Sequence, residues 1–264
     1  MMLSNSNLSI TEQELHHVFW LKHKDIDQCG WRPRLRWHSG YYQPSDYYEA
    51  VVNKCVSTAS HWLDIGAGST PFPNNDELAR LLSERASRFV GVDPSDNIDS
   101  NPFVHESAKC LIEDYKTGKP FDVITLRMVA EHIAEPKSLI HALHRLTRPG
   151  SKVIVFTVNL WSPATIASRL LPFAYHFPIK KLFWSAGEEK DTFPTEYKMN
   201  TLKRLRELFE PSGFKEQFAA CLDHCTLLSR YKWSHHLELL IWKGLKKVGW
   251  LYPENCLLVV YVKS

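Results

Sequence analysis

The chain has 264 residues and a mass of 30.6 kDa, enough for one large domain or one domain with a cap. Apolar residues make up 44% of it, which supports a sizeable core. A net charge of +3 with no long basic run argues against a dedicated nucleic-acid binder.

No run reaches the roughly 18 apolar residues that a membrane-crossing helix needs. The first ten positions, Met1 to Ile10, are polar and lack an apolar core, so no signal peptide is expected and a cytoplasmic location is. The six cysteines form no CxxC pair. Cys221 and Cys225 would share a face of a helix, but no second pair completes a zinc site. Reduced, mostly buried thiols are the expected state.

In chain order, residues 11–29 read as a helix, opened by the capping box Thr11-x-x-Glu14 and carrying Leu15, Val18 and Phe19 inward. Trp31 to His38 is basic and aromatic. It reads as a solvated loop anchored by its tryptophans, with a phosphate-meeting surface as the sharper alternative. A second helix, capped by Ser45, runs to about Val56.

His61-Trp62-Leu63-Asp64-Ile65-Gly66-Ala67-Gly68 then reads as an apolar strand entering a tight turn bracketed by glycines. Glycines let the backbone turn sharply and let a ligand lie against bare main chain. A following helix would offer unpaired N–H groups to an anionic group. That helix starts near Asn74 and buries Leu78, Leu81, Leu82 and Ala86. About 25 residues beyond Gly68, the strand Phe89 to Val92 ends in a second acid, Asp93. An acid there suits the two hydroxyls of a ribose. The unit is a nucleoside-binding one, but the dinucleotide pattern G-x-G-x-x-G fails because Pro71 holds the third glycine position.

Pro102-Phe103-Val104 is expected as a short third strand and Phe121 to Leu126 as a fourth. A helix over 136–146 buries Leu139, Ile140, Leu143 and Leu146, and Arg148-Pro149-Gly150 stops it. Lys152 to Val158 is a β-branched run, as a central strand buried on both faces requires. Strands alternating with helices argue a parallel, doubly wound sheet. The last third gives a helix from Thr201, a strand from Phe214 to Cys221, a helix over 234–248 and a strand from Asn255 to Val262. The 234–248 helix is expected to turn Leu237, Leu240, Ile241, Leu245 and Val248 inward.

Asp64-x-Gly66-x-Gly68 resembles motif I of the class I S-adenosylmethionine (SAM) methyltransferases, with Thr70 where that family usually has a third glycine. Phe121 to Thr125 followed by Glu131-His132-Ile133 and Pro136 resembles that family's strand-4 region, and Leu146 to Ser151 its turn into strand 5. The wording is closest to the ubiquinone-biosynthesis-type O-methyltransferases and covers about residues 60–160. The resemblance implies a Rossmann-like α/β fold: a doubly wound seven-stranded sheet with an antiparallel last strand, an N-terminal helical cap over 1–57, and a methyltransferase domain over 58–264 with a lid inserted at about 159–201.

It also implies SAM as cofactor and S-adenosylhomocysteine as product. Asp64, Gly66, Ala67 and Gly68 would hold the methionine end, Asp93 and Pro94 the ribose side, and Ile112 and Glu113 the adenine, with Arg127 beside the cofactor. Some relatives hold a divalent metal with Glu-x-x-Glu-His. Here Met128 takes the first Glu position, and a thioether suits Mg²⁺ poorly, so no metal is expected. His132 is then a candidate general base, against a plain structural histidine.

Asn159 to Thr201 is rich in aromatics, including Trp161, and reads as a lid, a membrane-surface patch over about 160–184, or ordinary core, with the lid preferred. Tyr41, Tyr42, Trp161, His176, Asp191 and Tyr197 are the candidate substrate contacts. The expected reaction is in-line methyl transfer to a small, apolar or aromatic acceptor, O-methylation first, with N- or C-methylation open. An RNA-modifying enzyme using Arg32, Arg34 and Arg36, or a SAM-binding protein without catalysis, are the alternatives.

Overall fold

A computed structural model describes residues 8–170 and 194–264. Its centre is a seven-stranded sheet: β1 (His61–Ile65), β2 (Arg88–Val92), β3 (Glu106–Ala108), β4 (Phe121–Arg127), β5 (Thr147–Val158), β6 (Phe214–Asp223) and β7 (Asn255–Lys263), in the order β3-β2-β1-β4-β5-β7-β6. The strands β1 to β5 pair in parallel, and β7 runs antiparallel to both β5 and β6. The chain leaves β1 toward β2 and β3, then returns to build β4 and β5 on the other side. The switch point, where open α/β sheets bind ligands, therefore lies between β1 and β4 at their carboxyl ends.

Strand alternation sorts the core onto the two faces. Leu63, Ile65, Val90, Val92, Ile124 and Leu126 face one side, against α5 (Pro136–Leu146) and α7 (Leu202–Phe209). Trp62, Phe89, Val123, Ile154 and Phe156 face the other, against α3 (Pro44–Cys55) and α4 (Asp76–Arg85). Trp62 and Phe89 are register partners on β1 and β2 and stack with ring centroids 3.7 Å apart. The Trp62 indole N–H donates to Thr125 Oγ1 at 2.8 Å, so its polar edge is satisfied inside the core.

The N-terminal helices are α1 (Glu12–His23), α2 (Trp31–Ser39) and α3. The expected Thr11–Glu14 capping box opens α1, which ends at His23 rather than running to residue 29. The cap of α3 is Gln43, not Ser45, with Asp46 closing the box from the third helical position. The stretch expected as a loop is helix α2, with Pro33 tolerated in its first turn. Two of its three arginines are drawn inward: Arg36 pairs with Asp46 at 3.2 Å, and Arg34 donates to the carbonyls of Ile26, Asp27 and Cys29, while Arg32 stays exposed.

Behind them Lys22 bridges Asp46 and Glu49, at 2.7 Å to each, and Glu49 accepts from Asn75 Nδ2 at 2.6 Å. Asn75 also caps α4. One buried polar network thus ties three helices to the end of the glycine-turn loop.

The third strand is Glu106–Ala108, not Pro102 to Val104; Phe103 and Val104 pack as loop residues against the core. The helix α6 (Pro163–Leu170) follows β5. Cys221 lies on β6 and Cys225 in the loop beyond it, so they share no helix, and all six cysteines are free. The helix expected near 234–248 is α8 (Lys232–Lys247), but its orientation is reversed. Ser234, His235, Glu238, Leu239 and Trp242 are buried, while Leu237, Leu240, Ile241 and Val248 are exposed and only Leu245 packs inward. Glu238 decides this. Its carboxylate accepts from the Leu227 and Leu228 N–H groups and from the Tyr252 hydroxyl, and lies 3.1 Å from His235 Nδ1.

Candidate active site

The glycine turn follows β1. Gly66 has φ +70° and Gly68 φ +44°, both in the left-handed region that side chains disfavour. At Gly66 a Cβ would also stand 2.3 Å from Val129 Cγ2, so this backbone lies directly against the segment after β4. Gly68 has open space where its Cβ would be. The turn is anchored from two sides. The Gly66 N–H donates to the Val92 carbonyl at 2.8 Å, and Asn101 Nδ2 donates to the carbonyls of Ala67 and Gly68 at 3.3 and 3.0 Å.

Asp93 stands one residue past β2 and is nearly buried. Its Oδ2 accepts from the Gly68 N–H at 2.9 Å, and its Oδ1 from the Ser95 N–H and hydroxyl at 2.8 and 2.6 Å. The carboxylate therefore stitches the turn to β2, and about one of its four acceptor sites is left for a ligand hydroxyl. Pro94 beside it is exposed.

Asp64 is 2% exposed and, by strand alternation, faces α3. Its register partner on β4 is Thr125, whose hydroxyl donates to Asp64 Oδ1 at 2.6 Å. Burial pushes this carboxyl up to about 7, with the Thr125 bond and the Arg127 charge pulling the other way. Two further groups sit within electrostatic reach. Tyr48 is fully buried, its hydroxyl has no hydrogen-bond partner among the described residues, and its pKa is driven up by burial first and then by Asp64, with Arg127 and the Thr125 hydroxyl pulling the other way. Arg127 ends β4, is half-buried, and its charge favours ionisation of Asp64, Tyr48 and Glu131. A buried acid lacking a full counter-charge, beside a buried hydroxyl and a glycine turn, can receive a cationic, hydrogen-bonding group.

Beyond β4, Met128 takes φ +54° and leads into a 3-10 turn over Ala130–His132. Glu131 is buried. Its carboxyl is raised by burial and accepts from the Thr157 hydroxyl at 2.6 Å, which in turn accepts from Asn200 Nδ2 at 2.7 Å. The Glu131 carbonyl accepts from the N–H groups of Glu196 and Tyr197, docking the returning chain against this turn. His132 is half-exposed, with Nδ1 2.9 Å from the Pro194 carbonyl. A donating Nδ1–H there leaves Nε2 with the lone pair of a base.

Ile112 is packed in the core and Glu113 is half-exposed, its carbonyl accepting from Arg145 at 3.2 Å. Tyr41 is elsewhere: buried against Trp242, it donates to the Asp223 carbonyl and accepts from the Cys225 N–H, leaving no face for an acceptor. Tyr42 packs edge-on against Phe19 and Tyr47 among the N-terminal helices. Trp161 is 68% exposed just past β5. His176 and Asp191 lie outside the described residues. Tyr48, Thr125 and Asn101 were not singled out from sequence, and only the helical spacing of Tyr48 on the inner face of α3 hinted at any of them.

The family model described as "Methyltransferase domain" matches residues 37–216, most of the chain. The chain belongs to this methyltransferase family. Its relatives include ubiquinone biosynthesis O-methyltransferases. The one from Pseudomonas aeruginosa is 29% identical over 37% of this chain and 44% of its own length. The one from Coxiella burnetii is 24% identical over 58% of this chain and 66% of its own length. The methyltransferase thus spans between under half and about two thirds of these curated relatives. Among solved structures it is similar in fold to a mycolic acid cyclopropane synthase complexed with SAH and CTAB, with a TM-score of 0.51, 15% identity, and coverage of 82% of this chain and 83% of that one. The fold, with a single antiparallel strand next to the sheet edge, is the class I SAM-dependent one.

Proposed function

We propose that this methyltransferase transfers a methyl group from SAM to a small, apolar or aromatic acceptor, with a hydroxyl oxygen as the preferred acceptor atom. What supports the cofactor reading is the convergence of Asp64, the glycine turn, Asp93 and Arg127 at one switch point. Asp64 has the position and missing counter-charge to receive an ammonium, with the Tyr48 hydroxyl beside it. Gly68 offers bare main chain, with Gly66 and Ala67 shaping the turn behind it, Asp93 and Pro94 would flank the ribose side, and Ile112 and Glu113 the adenine side. Bound SAM would supply an electrophilic methyl on a sulfonium, open to in-line displacement. The chain's own task is then to align two reactants and exclude water.

His132 would accept the acceptor's proton at Nε2, held in that tautomer by Pro194. Glu131, Thr157 and Asn200 would position the turn that carries it. Residues 1–57 would act as a cap and 159–201 as the acceptor-side lid, with Trp161, His176, Asp191 and Tyr197 as its contacts. The names of the curated relatives favour oxygen. The internal pairing of Arg34 and Arg36 disfavours an RNA footprint on α2.

The test is methyl-labelled SAM offered with phenols, catechols, amines and RNA, each with and without EDTA. Label in a phenolic product supports the reading; label only in RNA, or none in any acceptor, overturns it. His132→Asn should cut turnover by roughly 10²–10⁴-fold while SAM affinity holds.

A further inference from the structure

We propose that the outer face of α8 docks on an anionic lipid surface. Trp233, Leu237, Leu240, Ile241 and Val248 follow helical spacing and form one stripe, and Trp250 continues it past the helix end. These residues stay between 47% and 73% exposed, so the stripe is a contiguous apolar patch and not a scatter of single side chains. The stripe cannot roll inward. The opposite face is pinned by the four contacts of Glu238 and by the Trp242 indole N–H donating to Asp223 Oδ2 at 2.9 Å.

Charge selects the occupant. Lys232, Lys243, Lys246 and Lys247 are all exposed on this helix, and its one acid, Glu238, is buried and bonded. Apolar residues on one stripe, lysines beside it and a tryptophan at each end make the pattern of a helix lying in a membrane interface. A second copy packed face to face would set these lysines against their own equivalents, an arrangement that like charges oppose. The helix is too short and too charged to cross a bilayer, and no described helix is long and apolar enough to do so.

Its placement gives the contact a consequence. Asp223 at the end of β6 pairs with Asn255, and Cys256 pairs with Val158 at the end of β5. The helix therefore hangs from the carboxyl edge of the sheet, the edge that carries the glycine turn. Docking through α8 would bring that edge to the lipid. The inference stands on α8 itself and holds whatever the acceptor is.

Co-sedimentation of the full chain with phosphatidylcholine vesicles, with and without phosphatidylglycerol, tests it. Wild type should pellet with the anionic vesicles, lose that binding in high salt, and stay in solution with phosphatidylcholine alone. The Leu237→Glu/Ile241→Glu variant should stay in solution throughout with an unchanged thermal midpoint, since both positions are exposed. Lys243→Gln and Lys247→Gln should each weaken binding about fivefold. No pelleting of wild type, or equal pelleting of Leu237→Glu/Ile241→Glu, overturns the inference. So does a wild-type dimer that ignores vesicles and becomes monomeric in that variant, which would assign the face to a second copy.

Discussion

Asp64 carries the sharpest residue-level consequence. Its carboxyl is pushed up to about 7 by burial, from an ordinary value of 3.8. A carboxyl raised on folding costs stability progressively as pH climbs from its unfolded value through its folded one. An ammonium bound beside it would need the ionised form, so binding must expel a proton wherever Asp64 is protonated. SAM affinity should therefore tighten as pH rises from 6 to 8, and Asp64→Asn should flatten that dependence; calorimetric titration at several pH values reads both.

The glycines divide in a similar way. Gly66→Ala adds strain at φ +70° and a clash with Val129, whose branched side chain has little freedom to move. Gly68→Ala adds strain alone. The first should destabilise the fold by about 1–3 kcal/mol and the second by roughly 1 kcal/mol, measured by urea unfolding. The glycines and the two acids were legible in sequence because a sharp turn and two strand ends leave local marks. Asn101 and Thr125 were not, because their partners lie 33 and 61 residues away along the chain.

At the level of elements, the N-terminal helices are held by buried charge as well as by apolar packing. Lys22 and Glu49 are 5% and 2% exposed at the side chain, so removing Lys22 strands Glu49 in a dry site, while Asp46 keeps Arg36. Burial alone would lower the Lys22 pKa; Asp46 and Glu49 outweigh it and raise it. Lys22→Met should destabilise by about 3 kcal/mol in thermal unfolding, because Glu49 loses its cation and Asp46 one of its two. If Asn75 transmits the damage, SAM affinity should fall as well.

Polar contacts of the same helices explain an expectation that failed. Arg34 and Arg36 read as part of a solvated basic loop because their partners, three backbone carbonyls in the preceding turn and Asp46 on the next helix, leave no mark in the residue pattern. The reversed face of α8 has a related cause. Helical periodicity ranks faces by hydrophobicity, and a buried Glu238 with four partners is invisible to it. The third strand was misplaced onto Phe103-Val104 because apolar content was read as strand, whereas this edge strand is the polar Glu106–Ala108.

For the whole molecule, the alternation of strands and helices was readable because each central strand is an apolar run bounded by turn residues, and each flanking helix shows one buried stripe. Strand order was not readable that way. It followed from the resemblance carried by motif I and the strand-4 and strand-5 segments, and the sheet matches it, with β7 antiparallel between β5 and β6. Asp64, the glycine turn, Asp93 and Arg127 lie at the carboxyl ends of neighbouring strands or in the loops that follow them, so a ligand that fits there would bridge several elements and stabilise the whole domain.

The measurement that bears most directly on this account is a thermal-shift titration of wild type with SAM and, separately, with S-adenosylhomocysteine, alongside Asp93→Asn. At about 100 times its Kd, either ligand should add roughly 2.7 kcal/mol to wild-type stability, and much less to the variant. A wild-type chain that neither ligand stabilises would contradict the assignment of this site to SAM.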